Sequence, residues 1–195
     1  LFEKKIEGAV KNIAVVQSEN TPGDQDENIV VLKPPVLKIE KTSDHKVYKE
    51  SQIGTYELRV TEKNPGMTAH QVVIEDQFEN EEMKIFGVRV KYNGEDITSQ
   101  CEIIMEESSH QFRILTGKDL GDQDNITVIY QVRFETMISG EIKNTAISYS
   151  KDAARCRDDY AVVMEKTVPK LSIVKKTNRT VYGVGDLCRY EIGAS

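Results

Sequence analysis

GEIKNTAISYS, residues 140–150, reads as a β-strand with Asn144 at its centre, and a close copy, GAVKNIAVVQS, occupies residues 8–18. Extended, LFEKKIEGAVKNIAVVQS (1–18) aligns with RFETMISGEIKNTAISYS (133–150). Phe2 then pairs with Phe134, Glu3 with Glu135, Ile6 with Ile138, Gly8 with Gly140, Asn12 with Asn144 and Ala14 with Ala146, the two asparagines lying 132 positions apart. A second stretch repeats at almost the same distance. VLKIEKTSDHKVYKESQIGTYELRV (36–60) aligns with KLSIVKKTNRTVYGVGDLCRYEIGA (170–194), with Leu37/Leu171, Ile39/Ile173, Lys41/Lys175, Val47/Val181, Tyr48/Tyr182 and Tyr56/Tyr190 in register, 134 positions apart. Two matches at nearly one period imply a tandem array. The expected division is the C-terminal remnant of one repeat at 1–34, a complete repeat at 35–168 and the start of the next at 169–195. Its joints fall near Lys33-Pro34-Pro35 and Val168-Pro169, where proline favours an extended, stiff connection.

Within the complete repeat the period is two. Leu37, Ile39 and Lys41 alternate with polar neighbours, as do Tyr56, Leu58 and Val60, then Val72, Ile74 and Asp76, then Ile126, Val128, Tyr130, Val132 and Phe134, which is the pattern of half-buried strands. Asn93-Gly94 is a hairpin signal, and Asn64-Pro65-Gly66, Thr116-Gly117 and Leu120-Gly121-Asp122 punctuate other runs. The segment from Asn80 to Ile104 reads as a plain hairpin. No stretch reads as a long helix. The predicted fold is all-β: an antiparallel, immunoglobulin-like β-sandwich of about 130 residues, one complete tandem repeat flanked by partial ones.

Composition narrows the function classes. With 38% hydrophobic and 30% charged residues, no Trp and no apolar run near the roughly 18 residues of a membrane helix, a globular chain without a membrane span is expected. The net charge of -6 argues against nucleic acid or anionic lipid as partner. LFEKKIEG lacks the basic-then-apolar order of a secretion signal, so any targeting segment is expected outside these residues or already removed. Cys101, Cys156 and Cys188 have no C-x-x-C spacing, and His45, His70 and His110 add no metal-ligand spacing, so neither a metal site nor a cofactor is expected. Cys188 aligns with Gly54 and reads as a core residue; Cys101 and Cys156 read as unpaired, with a bridge left open. Gly-Asp-Gln-Asp at 23–26 and 121–124 reads as a solvated turn, because the full spacing and bidentate Glu of a calcium loop are missing.

Strand parity singles out three polar residues. Lys41, Asp76 and Asn144 each lie two positions after an apolar residue, Ile39, Ile74 and Ile142, and so point toward the core, whereas Lys38, Glu40, Glu57 and Glu75 fall on the solvent phase. Burying an unpaired ammonium or carboxylate costs several kcal/mol, so such groups must neutralise, pair or react. One outcome is a reaction. Burial favours a neutral lysine amine and a protonated aspartic acid, and attack of that amine on an asparagine amide carbon would expel ammonia and leave a Lys-Asn isopeptide bond. The same residues admit an inert reading: Lys41 reaching to solvent, Asp76 capping a turn and Asn144 satisfying backbone groups at a strand end.

Leu-x-Ile-x-Lys at 37–41, an alternating strand ending in Asp76, and Gly-x-Ile-x-Asn-Thr-Ala at 140–146 resemble the repeat domains of Gram-positive surface proteins and fimbrial shafts, the collagen-adhesin type that forms intramolecular isopeptide bonds. The resemblance covers the central repeat and both partial ones. It implies that Lys41 is the amine donor, Asn144 the acceptor and Asp76 the catalytic acid, with Asn12 and Lys175 as orphan equivalents in the partial repeats. It also implies an extracellular, cell-wall-attached stalk or pilus module whose partners are neighbouring repeats and host surface ligands. The family's proline soon after the acid is absent from Asp76-Gln77-Phe78-Glu79, and neither a sorting signal nor a pilin-polymerisation motif is present. Two other classes fit the same scaffold: a ligand-binding adhesin domain and an accessory sandwich of a secreted enzyme. Repetition at a fixed period favours the stalk, because a spacer needs copies and a catalytic domain does not. No Ser-His-Asp set or carboxylate pair favours the enzyme.

Overall fold

A computed structural model describes residues 8–106, 110–166 and 171–194; Phe2, Glu3, Ile6 and the Val168-Pro169 joint lie outside them. The described chain is built of strands: β1 (Gly8–Ser18), β2 (Thr21–Leu32), β3 (Leu37–Ser43), β4 (Val47–Tyr48), β5 (Ile53–Glu62), β6 (Val73–Phe78), β7 (Met83–Tyr92), β8 (Glu95–Asp96), β9 (Glu102–Met105), β10 (Gln111–Leu115), β11 (Asn125–Phe134), β12 (Glu141–Tyr149), β13 (Cys156–Met164), β14 (Ile173–Thr177) and β15 (Tyr190–Ala194). Contacts divide it between Glu165 and Lys166 into two compact units. Among the described residues no helix is long and apolar enough to cross a membrane.

The sandwich consists of a five-stranded sheet, in the order β3-β5-β11-β7-β8, and a six-stranded sheet, in the order β4-β13-β12-β6-β10-β9. The period-two pattern does what it should: Ile126, Val128, Tyr130, Val132 and Phe134 of β11 are all fully buried, as are Tyr56, Leu58 and Val60 of β5, so that the two inner faces make one apolar layer. Asn93 (φ 49°) and Gly94 (φ 88°) adopt the left-handed backbone that a tight hairpin turn demands, and join β7 to β8. In β7 the register against β11 slips between Ile129 and Gln131, next to Gly87 at φ 63°, a bulge that lies beside Tyr130.

Two features depart from the expectation. The segment from Asn80 to Ile104 is more than a hairpin. After β8 the Asp96 carboxylate accepts the Thr98 N–H at 2.9 Å and a 3-10 turn follows at Thr98–Gln100; this local side-chain bond ends the strand, and β9 crosses to pair with β10 in the other sheet. The sandwich is also not purely antiparallel. β4 pairs in parallel with β13, Val47 opposite Val163 and Tyr48 opposite Met164. Tyr48 is fully buried and stacks on Phe134 of β11 at 4.3 Å between ring centroids, so its side chain packs against the first sheet while its backbone pairs at the edge of the second.

The hairpins outside the sandwich reproduce its parts. β1 and β2 form their own two-stranded sheet in which Asn12 faces Asn28 and Ala14 faces Asp26; at positions 132 further on, Asn144 faces Tyr160 and Ala146 faces Asp158 in β12 and β13. β14 and β15 likewise copy β3 and β5, with Lys175 opposite Ile192 as Lys41 is opposite Leu58. The likeness extends to the loop that follows. Asp44 donates its N–H to Thr55 O (3.0 Å) and accepts the Thr55 N–H (3.0 Å), while Asn178 and Arg189 make the same two bonds at 3.3 and 3.2 Å. Tyr48 donates its hydroxyl to Asp44, and Tyr182 donates its hydroxyl to Asn178.

Candidate functional site

Lys41 on β3 and Tyr130 on β11 come from one sheet, Asp76 on β6 and Asn144 on β12 from the other, and their polar atoms meet between the layers. Each strand delivers its residue by parity. Leu37, Ile39 and Lys41 are buried on β3, Ile74 and Asp76 on β6, and Ile142, Asn144 and Ala146 on β12, and no bulge interrupts the pairing of any of these strands before the polar residue is reached. The side chains of Lys41 and Asp76 are completely inaccessible to solvent, and Asn144 is fully buried.

The contacts form a closed set. Lys41 Nζ donates to Asp76 Oδ2 and also to the Tyr130 hydroxyl at 3.0 Å; that hydroxyl donates to Asp76 Oδ1 at 2.9 Å and accepts from Asn144 Nδ2 at 2.9 Å. Asn144 Oδ1 is buried and accepts no hydrogen bond among the described residues, an omission that costs about 1–3 kcal/mol. The rings of Tyr56, Tyr130 and Phe78 stand 5.5, 5.7 and 5.9 Å from Lys41 Nζ. They offer a cation some quadrupole attraction, but the Lys41 side chain has no access to the solvent that would hydrate it. On the backbone, the Lys41 N–H donates to Asp158 Oδ2 of β13 at 2.8 Å, fixing the edge strand of one sheet to a strand of the other.

The electrostatics favour the uncharged forms. Burial lowers the Lys41 ammonium from 10.5 to about 8, against the opposing attraction of the Asp76 carboxylate. Burial raises Asp76, against Lys41 and against its hydrogen bonds with Tyr130 and Asn144. Desolvation penalises only the charged states, so a proton passing from Nζ to Oδ2 removes both penalties at once. The arrangement therefore places a lysine able to become a neutral amine, a carboxyl able to hold its proton, and a primary amide inside one sealed volume.

The two other residues singled out by alignment stand apart from this cluster. Asn12 is exposed on β1, and Lys175 is exposed on β14 with Nζ 4.2 Å from the centroid of the Tyr190 ring. Cys101, Cys156 and Cys188 are free thiols, all partly buried, and no group of three or more His, Cys, Asp or Glu residues that could hold a metal ion occurs among the described residues. The residue that sequence reasoning passed over is Tyr130. It sits in phase on an apolar strand and looks like core; its one polar atom was the available signal, because a buried tyrosine hydroxyl needs partners.

No protein-family model and no curated protein matches the chain. Solved structures do. The C-terminal domain of the AgI/II polypeptide BspA of Streptococcus agalactiae is similar with a TM-score of 0.58 at 13% identity, over 80% of this chain and 59% of that one. BcpA, the major pilin subunit of Bacillus cereus, gives 0.50 at 13% identity, over 79% and 53%; a variant of the same pilin gives 0.54 at 14% identity, over 99% and 66%. The likeness is one of fold. This chain spans 53% to 66% of the length of these neighbours, and the shared architecture is the all-β, immunoglobulin-like sandwich, antiparallel here in every strand pairing but that of β4 with β13.

Proposed function

We propose that the chain is a stalk or pilus-like structural module of a Gram-positive cell-surface protein, in which Lys41 and Asn144 become joined by an autocatalytic isopeptide bond with Asp76 as the acid. The observation that carries this reading is the convergence of amine, carboxyl and amide in a volume without solvent access. The fold holds the reactants in place, which supplies the effective concentration that an ordinarily inert amide requires, and the event occurs once per molecule. The tandem organisation, a remnant at 1–34, a complete repeat at 35–168 and a start at 169–195, belongs to the same proposal. It is supported by the matching registers of the outer hairpins, and it makes neighbouring repeats the first partners of the domain. Cell-wall attachment and an extracellular location follow from this reading, and its resemblance to surface repeats is what brings them to this chain.

Intact-mass spectrometry of the purified protein tests the bond. The expected mass lies about 17 Da, one ammonia, below that of the sequence, and Lys41→Ala, Asn144→Ala and Asp76→Asn each restore the full mass. The unshifted mass in the natural protein would reject the cross-link. The loss persisting in Asp76→Asn would move the acid's role to another carboxyl.

A further inference from the structure

The Tyr130 hydroxyl touches every polar side chain of the cluster: it accepts from Lys41 Nζ (3.0 Å) and Asn144 Nδ2 (2.9 Å) and donates to Asp76 Oδ1 (2.9 Å). A phenol has one proton and two lone pairs, so these three bonds use its full capacity. The ring cannot swing away. It is fully buried, parallel to Tyr56 at 5.5 Å and edge-on to Phe112 at 5.1 Å between centroids, and the β7 bulge at Gly87 lies beside it. A tyrosine serving only to fill this space would gain nothing from a hydroxyl placed at the meeting point of two sheets.

We propose that Tyr130 is a catalytic residue of the cross-linking reaction, its hydroxyl carrying a proton from Lys41 Nζ to the departing nitrogen of Asn144. This rests on the Lys41–Asn144 bond proposed above. The reaction begins when Lys41 Nζ gives one proton to Asp76 Oδ2. The neutral amine attacks Asn144 Cγ, and the carbonyl π pair moves to Oδ1, leaving a positively charged Nζ and a negatively charged oxygen. Nδ2, no longer conjugated, now has a lone pair. The Tyr130 O–H turns from Oδ1 to Nδ2 and delivers its proton there while the phenol oxygen takes one from the positively charged Nζ, its neighbour at 3.0 Å. The oxygen pair then re-forms C=O, the Cγ–Nδ2 bond breaks and ammonia departs, removing the Asp76 proton as ammonium. The two carboxyl oxygens act separately, since Oδ2 holds the first proton of the amine and Oδ1 accepts from the phenol until its O–H turns to Nδ2. With no solvent access to Lys41 or Asp76, water is not at hand to protonate the leaving group, and amide nitrogen is a poor leaving group without a proton.

The test follows cyclisation by intact mass during timed cell-free synthesis of the 195-residue chain, in H2O and D2O, for the natural protein, Tyr130→Phe and Phe112→Leu. Phe112→Leu loosens the packing around the ring and keeps the hydroxyl, so it should still lose about 17 Da, and any slowing it shows measures the loss of packing alone. Tyr130→Phe should fold, with a near-native far-ultraviolet circular dichroism spectrum, but lose ammonia roughly 100-fold or more slowly. The natural protein supplies a second readout that needs no variant: several protons in flight make the rate fall along a bowed curve as the deuterium fraction rises, and the relay requires that bow. Cyclisation of Tyr130→Phe within about threefold of Phe112→Leu, or a linear deuterium dependence, overturns the role of Tyr130 and leaves the bond intact. A natural protein that never loses mass removes the reaction itself.

Discussion

At Lys41 the fold imposes a choice between an ion pair without water and a neutral pair, and the tilt toward neutrality has a consequence for pH. In Asn144→Ala no cross-link can form, but Lys41 and Asp76 remain. Because the folded amine titrates near 8 and the unfolded one near 10.5, unfolded chains bind a proton in that window that folded chains have released. Stability of this variant should therefore rise as pH increases from about 8 to 10.5. Urea unfolding across that range measures it, with Lys41→Met/Asn144→Ala as the reference that shows no such rise; equal slopes for the two would mean that the amine is not depressed. The inward direction of Lys41, Asp76 and Asn144 was legible because β3, β6 and β12 keep strict alternation up to those residues. Tyr130 was not, because an aromatic residue on an apolar phase carries no sign of which distant strands will meet its hydroxyl. Asp158 was equally hidden: it is one acid among several on β13 until β3 is seen lying beside it.

At the level of single elements, the close approach of β4 to β5 depends on one missing side chain. Gly54 is buried, and a Cβ there would stand 2.7 Å from the Tyr48 ring, which cannot retreat because it stacks on Phe134. Gly54→Ala should therefore destabilise the sandwich by about 1–3 kcal/mol, read as a lower urea midpoint at unchanged slope; an unaltered midpoint would show that Tyr48 yields freely. The long strands were readable from alternation, and so was the turn at Asn93-Gly94. β4 and β8 were not, since two residues are too few to show a period, and neither was the crossing of β9, which depends on a bond from Asp96 to the Thr98 backbone that no periodicity reports. The outer hairpins show what local sequence can specify by itself: the Asn178, Tyr182 and Arg189 bonds recur although the faces of β14 and β15 are exposed. The β1–β2 repeat also runs further than the opening match, since Asn28-Ile29-Val30-Val31-Leu32 corresponds to Tyr160-Ala161-Val162-Val163-Met164.

For the molecule as a whole, the proposed bond would close a loop of about 100 residues and join the first strand of the sandwich to one of its last, contributing roughly 4–5 kcal/mol by analogy with a disulfide of that span. Lys41→Ala or Asn144→Ala should accordingly lower the thermal midpoint by about 10–25 °C, as scanning calorimetry would record; a midpoint within a few degrees of the natural protein would show that the closure adds nothing. The parallel contact of β4 with β13 matters at this scale for another reason. Val163 N–H donates to Lys46 O at 3.1 Å and Glu165 N–H to Tyr48 O at 2.8 Å, linking the beginning of the sandwich to its end. Tension applied before β3 and after β13 would pull two parallel strands along their own axes in opposite senses. In a chain without the Lys41–Asn144 bond these hydrogen bonds are loaded in shear, so that they must yield together and not one after another; once the bond is made, the load crosses from β3 to β12 at Lys41 and the β4–β13 seam lies outside its path.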